Sequence, residues 1–315
     1  MKIVLLDTAT WGEDIDLSPL LSVGDVTEYK STAPHQVMDR IRQAEVVVLN
    51  KVNLKRFDLS EAPSLRLICV SSTGYDTVDT EVCRRLGIAL YNVPGYCADS
   101  VAQLTLAMGL SLASHLTEYR DCVHSGDYTR VGIANRLSPV FHELSALTWG
   151  VVGGGSIGSR VAELAQAFGA HVLLCRRTPD SRYEQVSVDE LCRRADIISL
   201  HVPLTDQTRG LIGRERIASM KRGAILINVA RGAVTDEAAI ADAILEGSLG
   251  GFGCDVYSTE PFGADHPFSR LLNCETVCLT PHMSWGSVEA RARCIAAIAQ
   301  NIRSFESGSA VNRIV

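Results

Sequence analysis

Short apolar runs alternate with amphipathic stretches along nearly the whole chain. The runs Ile3–Leu6, Val46–Leu49, Leu67–Val70 and Ile88–Tyr91 read as buried strands, and Gln36–Gln43 and Thr80–Leu86 between them carry helical spacing. Asn92-Val93-Pro94-Gly95 interrupts the alternation, as proline and glycine do. A long helix is predicted next, from about Ser100 to His115. Its Val101, Leu104, Leu106, Met108, Leu110 and Leu112 occupy more than one face, which marks burial between domains or subunits. Residues 124–146 have no regular period and predict a loop. A second strand series follows: Trp149–Val152, Val172–Leu174, Ile197–Leu200, Ala224–Asn228, Gly251–Val256 and Thr276–Leu279. The closing helix is expected over about Ser287–Phe305, with Ala292, Ile295, Ala296, Ala299 and Ile302 on its apolar side. Strand–helix alternation of this kind predicts an α/β fold, with the first block forming a small doubly wound sheet of its own.

Length and charge narrow this picture. A chain of 315 residues exceeds what one core usually organises, so two domains are expected. The net charge of −6 and pI near 5.8 argue against a nucleic-acid partner. No apolar run is long enough to span a bilayer, and MKIVLLDTAT reads as a first strand, not a signal peptide. Ten scattered cysteines without a CxxC pair point to reduced thiols in a cytoplasmic protein, with no metal site.

The first chemistry lies between Thr148 and Pro179. An apolar strand runs into Gly153-x-Gly155-x-x-Gly158, then a helix with Val161, Leu164, Ala165 and Phe168 on one face, a stop at Gly169, and a further strand. In a dinucleotide site, Gly153 makes the tight turn, Gly155 lets backbone approach a pyrophosphate, and Gly158 lets helix pack close to strand. The helix N-terminus offers its unpaired N–H groups to the phosphates. A ribose-binding acid is expected at the end of the second strand. The chain has Cys175, Arg176 and Arg177 there instead. An arginine would pair with a 2′-phosphate, so NADP(H) preference is predicted, with NAD(H) the alternative.

Three polar residues follow strands of this half: Arg231 after ILINVA, Glu260 after GCDV, and His282 after VCLTP. Ligands of open parallel sheets bind outside the carboxyl ends of strands. Arginine holds a carboxylate through two parallel bonds, histidine transfers protons near neutrality, and a carboxylate on its far nitrogen fixes the tautomer. Singly, Arg231-Gly232 also fits a surface turn, Glu260-Pro261 a loop carboxylate, and Pro281-His282 a turn histidine. Together, in one dinucleotide domain, they favour catalysis.

The segments STGYDTVD (72–79), NVPGYCADSVAQLTLAM (92–108), GGGSIG (153–158), ILINVARGAVTDEAAI (225–240), GGFGCDVYSTEPF (250–262) and TPHMSW (280–285) resemble the D-isomer-specific 2-hydroxyacid dehydrogenase family. The likeness is nearest to its glycerate dehydrogenase, or hydroxypyruvate reductase, type. It implies that Arg231 orients the substrate, His282 is the acid/base and Glu260 supports it. It implies that Asp255 meets the nicotinamide carboxamide, that Ser156 and Ile157 line the pyrophosphate, and that Ala230 and the backbone of His201, Val202 and Pro203 line the cofactor. Thr73 and Gly74 would take the substrate carboxylate, with Tyr96 nearby. The implied architecture is a Rossmann cofactor domain, 99–283, inserted into a flavodoxin-like substrate domain made of 1–98 and 284–315. The active site would lie in the cleft, and the helix after Asp99 at a homodimer interface. The expected reaction is reduction of a small 2-oxo acid of the hydroxypyruvate or glyoxylate type. A larger branched or aromatic 2-oxo acid, or a dinucleotide-sensing corepressor-like binding role, is the alternative. The end at Val315 leaves no room for the regulatory extension of long phosphoglycerate dehydrogenases.

Overall fold

A computed structural model describes residues 1–315. Its contacts divide the chain into two units: Met1–Cys97 with Gly286–Val315, and Ala98–Trp285.

The first unit carries strands β1 (Lys2–Leu5), β2 (Asp25–Glu28), β3 (Val46–Leu49), β4 (Leu67–Val70) and β5 (Ala89–Tyr91). They form one sheet in the order β2-β1-β3-β4-β5, parallel at every pairing. This is the flavodoxin-like doubly wound order. β3 and β4 read VVVL and LICV and are wholly buried, as strands covered on both faces must be. β2 reads DVTE, lies at the sheet edge and buries none of its residues, so no apolar run announces it. The helix Val288–Glu306 closes this unit through Ala290, Cys294, Ile295, Ile298, Ala299 and Ile302. Ala292 and Ala296, expected on that face, are exposed: the inward stripe is rotated toward Cys294 and Ile298. Beyond the helix, the tail bonds to β5, with Ile314 N–H donating to Leu90 O at 2.8 Å.

The second unit carries β6 (Thr148–Val152), β7 (His171–Cys175), β8 (Glu184–Gln185), β9 (Ile197–Leu200), β10 (Ala224–Asn228), β11 (Leu249–Cys254) and β12 (Val277–Leu279). The sheet order is β12-β11-β10-β9-β6-β7-β8, again all parallel. The order reverses between β6 and β9, which makes that crevice the topological switch point of a Rossmann sheet. The long apolar helix runs from Ala98 to Ala113. Its Met108 and Leu112 lie against Gly253 and Gly251 of β11, so this face is buried within its own unit. Leu104 and Leu110 are only partly buried. The stretch expected as loop, 124–146, contains the short helix Asp127–Val131, and the helix Leu116–His124 ends where that stretch begins; neither buries a residue. Helices without an inward face leave no apolar period to find. No helix of the chain is long and apolar enough to cross a membrane.

Candidate active site

The β6 turn is built by its glycines. Gly153 adopts φ of +101° and donates its N–H to Cys175 O at 2.8 Å. The helix Ser156–Ala167 begins directly afterwards. A Cβ on Gly158 would stand 1.8 Å from Gly153 O, so only glycine lets the helix start this close to the strand. Beside Gly155 a Cβ would meet nothing within 4 Å, leaving open backbone at the helix N-terminus next to exposed Ser156 and half-buried Ile157. Val161 and Ala165 face inward as expected, but Phe168 is 53% exposed, because the helix ends at Ala167 and the chain turns out at Gly169.

β9 delivers His201 to this turn. A Cβ on Gly153 would meet His201 O at 2.6 Å and Val202 Cγ1 at 2.9 Å, so the β6 and β9 ends are in close contact. Pro203 follows in an exposed loop, its carbonyl accepting from the Thr208 hydroxyl at 2.6 Å. The residue His201 keeps some exposure, but both ring nitrogens are buried without a hydrogen-bond partner. Burial pushes this ring down to about 3, so it is neutral. The glycine turn, the open helix N-terminus and the orphaned ring at the switch point all fit a dinucleotide.

At the end of β7, Arg176 lies over the turn: its Cδ would be 2.6 Å from a Cβ on Gly154. Arg177 is exposed. Sequence reading missed Asp180, which accepts from Arg176 Nη1 at 3.3 Å and from Arg182 Nε and Nη2 at 3.0 and 2.8 Å. Arg182, and then Arg176, hold the Asp180 carboxyl down at about 2. An acid does stand near the second strand, but the loop brings it back from four residues beyond Arg176.

The carboxyl ends of β10, β11 and β12 carry the other set. After β10, Asn228 ties the turn, its Nδ2 donating to Arg231 O at 3.0 Å and its Oδ1 accepting from buried Ala230 N–H at 3.0 Å. The Arg231 side chain donates to Ala230 O at 2.8 Å and is half-buried. A Cβ on Gly232 would come within 2.1 Å of Tyr257 C and 2.2 Å of Ser258 N, so the Arg231-Gly232 backbone sits directly on the loop after β11. On that loop, Glu260 Oε1 accepts from Tyr257 N–H at 3.1 Å, and Oε2 lies 2.6 Å from His282 Nδ1. The Glu260 contact puts the Nδ1 proton on the bonded side and leaves Nε2 as the far nitrogen. His282 itself has φ of +54°, an unusual conformation for a non-glycine residue. Its carbonyl accepts from Trp285 Nε1 at 3.0 Å.

Asp255 is fully buried, and its carboxylate accepts from Thr280 Oγ1 at 2.6 Å, Met283 N–H at 2.9 Å and Ser284 N–H at 2.8 Å. It clamps the segment that bears His282 on both sides. Glu237 and His266 are a buried pair that sequence reading passed over, 3.0 Å apart beneath the same loop. They are 29 residues apart in sequence, so only the fold joins them.

In the first unit, the turn after β4 is braced internally. Ser72 Oγ donates to Gly74 O, Thr73 Oγ1 to Val93 O at 3.1 Å, and Asn92 Nδ2 to Thr73 O at 2.7 Å. Thr73 is exposed and Gly74 half-buried, whereas Tyr96 is only 7% exposed, its carbonyl accepting from Arg293 Nε at 2.9 Å.

Residues 106–284 match the model of the D-isomer specific 2-hydroxyacid dehydrogenase NAD binding domain. The chain is 34% identical to a hydroxypyruvate reductase of Blautia hydrogenotrophica, covering 99% of each chain. Among solved structures it is similar to the D-lactate dehydrogenase of Aquifex aeolicus complexed with NAD and lactic acid, with TM-score 0.87, 29% identity, and 100% and 99% of the two chains covered. It is also similar to an acyclic imino acid reductase in complex with NADPH and D-Arg, with TM-score 0.88, 25% identity and full coverage of both chains.

Proposed function

The chain belongs to the D-isomer-specific 2-hydroxyacid dehydrogenase family, and from that premise we propose that it reduces a small 2-oxo acid of the hydroxypyruvate or glyoxylate type to the D-2-hydroxy acid, with NADPH preferred over NADH. The observation that carries the reading is the 2.6 Å contact between His282 Nδ1 and Glu260 Oε2 at the carboxyl ends of a Rossmann sheet. In this reading Gly153, Gly155, Ser156, Ile157 and Gly158 hold the pyrophosphate, with Ala230, Asp255 and the 201–203 backbone along the rest of the dinucleotide. When bound, the reduced nicotinamide supplies the electron pair and hydrogen that the substrate's C2 takes up. Arg231 presents its planar fork to the substrate carboxylate, which a lysine cannot imitate. Protonated His282 gives its Nε2 proton to the carbonyl oxygen while Glu260 accepts from Nδ1 and stabilises the ring before the transfer. Arg231 and His282 together oppose the charge growing on that oxygen. In the first unit, Thr73 and Gly74 are proposed to offer backbone N–H groups to an acid substrate, with Tyr96 beside them.

The dinucleotide preference rests on Arg176. Asp180 is held by Arg182 through two shorter contacts, and Arg176 is its longer-range partner at 3.3 Å. A 2′-phosphate with more charge and more acceptor oxygens then competes well for the Arg176 guanidinium. The two solved structures described above do not decide this: one carries NAD and the other NADPH. We also read the chain as a homodimer. Leu116, Val123, Val131, Ile133, Leu137, Val140 and Phe141 are all at least half exposed on one stretch of the second unit, an apolar surface that a monomer seldom leaves open.

A panel of 2-oxo acids assayed with NADPH and NADH tests the whole reading. Turnover of hydroxypyruvate or glyoxylate with higher kcat/KM for NADPH is expected. No turnover of any 2-oxo acid overturns the activity, and equal or higher values with NADH overturn the preference. His282→Ala should lose roughly 10²–10⁴-fold in rate. Sedimentation at micromolar concentration tests the dimer, and a monomer there refutes it.

A further inference from the structure

Glu237 opens the helix Glu237–Leu245, where an exposed acid would be ordinary, yet its side chain is turned inward and only 8% exposed. Oε1 accepts from Ser258 N–H at 2.8 Å, and Oε2 takes the Ser258 hydroxyl and His266 Nε2, the latter at 3.0 Å. His266 Nδ1 accepts from Phe268 N–H at 3.2 Å, so the ring proton sits on Nε2 and points at Glu237. The His266 ring packs among Phe262, Phe268 and Tyr257, with centroids 4.9, 5.0 and 6.1 Å away. Burying a carboxylate is costly unless its oxygens are fully engaged, and these are.

What the carboxylate holds explains its place. The Tyr257–Ser258 peptide supports all three proposed site residues. Gly232, next to Arg231, abuts it with no room for a Cβ. Tyr257 N–H fixes Glu260 Oε1 at 3.1 Å. The Tyr257 hydroxyl, kept protonated by burial, donates to Thr280 O at 2.8 Å, two residues before His282. We propose that Glu237, acting through Ser258 and His266, is a positioning residue that locks this peptide and thereby sets Glu260 against His282. Hydrogen bonds weaken steeply with misalignment, so a small shift of the peptide loosens the 2.6 Å contact at His282.

The test uses the full-length chain carrying Glu237→Gln or Ser258→Ala. A glutamine at 237 sets an NH2 against either the His266 or the Ser258 donor, whereas Ser258→Ala removes one hydroxyl and leaves the carboxylate in place. The kinetic arm rests on the reading of His282 as the acid in 2-oxo acid reduction. Expected for Glu237→Gln is a kcat about 10- to 100-fold lower, as for about 1 Å of misplacement, with the dinucleotide KM unchanged. Ser258→Ala should show a smaller loss in the same direction. Added to Glu260→Gln, Glu237→Gln should cost little more, because the contact it aligns is already gone. A second arm needs no turnover: in ring-labelled protein, the His282 Nδ1 proton signal that reports the 2.6 Å contact should move upfield in Glu237→Gln as that contact loosens. Thermal melts check folding, and if Glu237→Gln does not fold, Ser258→Ala carries both arms. A folded variant with wild-type kcat, an equal loss in the Glu260→Gln background, or an unmoved His282 Nδ1 proton signal overturns the proposal. Should the wild type reduce no 2-oxo acid, the functional reading falls, and the Nδ1 proton signal still decides the positioning.

Discussion

His201→Leu should flatten the acid side of the stability profile. The ring sits neutral, pushed by burial from 6.5 to about 3, with neither nitrogen bonded. In the unfolded chain it takes up a proton at its ordinary value, and in the folded chain it cannot. A depressed folded value means that the stability is fully present above about pH 6.5 and is lost as pH falls toward 3. Between those limits the slope approaches about 1.4 kcal/mol per pH unit. The accumulated loss is about 1.4 kcal/mol at pH 5.5 and about 2.7 kcal/mol at pH 4.5, a large part of the roughly 5–15 kcal/mol a domain has. Leucine removes the titration and two unbonded polar atoms, so the variant should match or exceed the wild type even at pH 7. Urea unfolding of the dinucleotide-free protein at several pH values, followed by fluorescence of buried Trp149, measures both curves. Their difference should grow on acidification by the amounts above. A constant difference, or a His201 ring that titrates near 6.5 in the folded protein, refutes the reasoning.

Three other substitutions probe the same unit. Gly158→Ala places a methyl 1.8 Å from Gly153 O, so the helix must retreat and dinucleotide affinity should fall at least tenfold by calorimetric titration. Gly232→Ala meets backbone at 2.1 Å, which cannot swing away as a side chain would; kcat should fall by about 10²-fold or more while dinucleotide binding persists. Asp180→Asn weakens the hold on Arg176 and should raise the ratio of kcat/KM for NADPH over NADH by up to about tenfold, the scale of one charge-assisted hydrogen bond. An unchanged ratio would separate Arg176 from the ribose site.

The inner strands were legible because parallel strands covered on both faces must be largely apolar: VVVL and LICV are so throughout, and AILIN is so up to Asn228. β2 was not, since an edge strand reading DVTE satisfies its backbone on one side and leaves its side chains in water. The helices at 116–131 were missed for a related reason: their apolar residues face outward, so no inward stripe marks them. At the site, Arg231, Glu260 and His282 were visible because each follows a recognisable strand. Glu237, His266 and Asp180 were not, because their meaning lies in contacts that local spacing does not encode. Glu237 follows the N-cap Asp236, where an acid ordinarily stays in water beside the helix N-terminus, so nothing local marks it as buried.

The division of the chain has a consequence for its synthesis. The unit made first in sequence is finished last, because residues 1–97 wait for the helix Val288–Glu306 and for the tail bonds at Leu90. Residues 98–285 emerge whole in between and have a complete sheet of their own. At ribosomal rates of about 5–20 residues per second, the nascent first sheet stands for roughly ten seconds or more with its closing helix still unmade. The length of that interval is therefore set by translation speed, and slow translation of the middle segment would extend it.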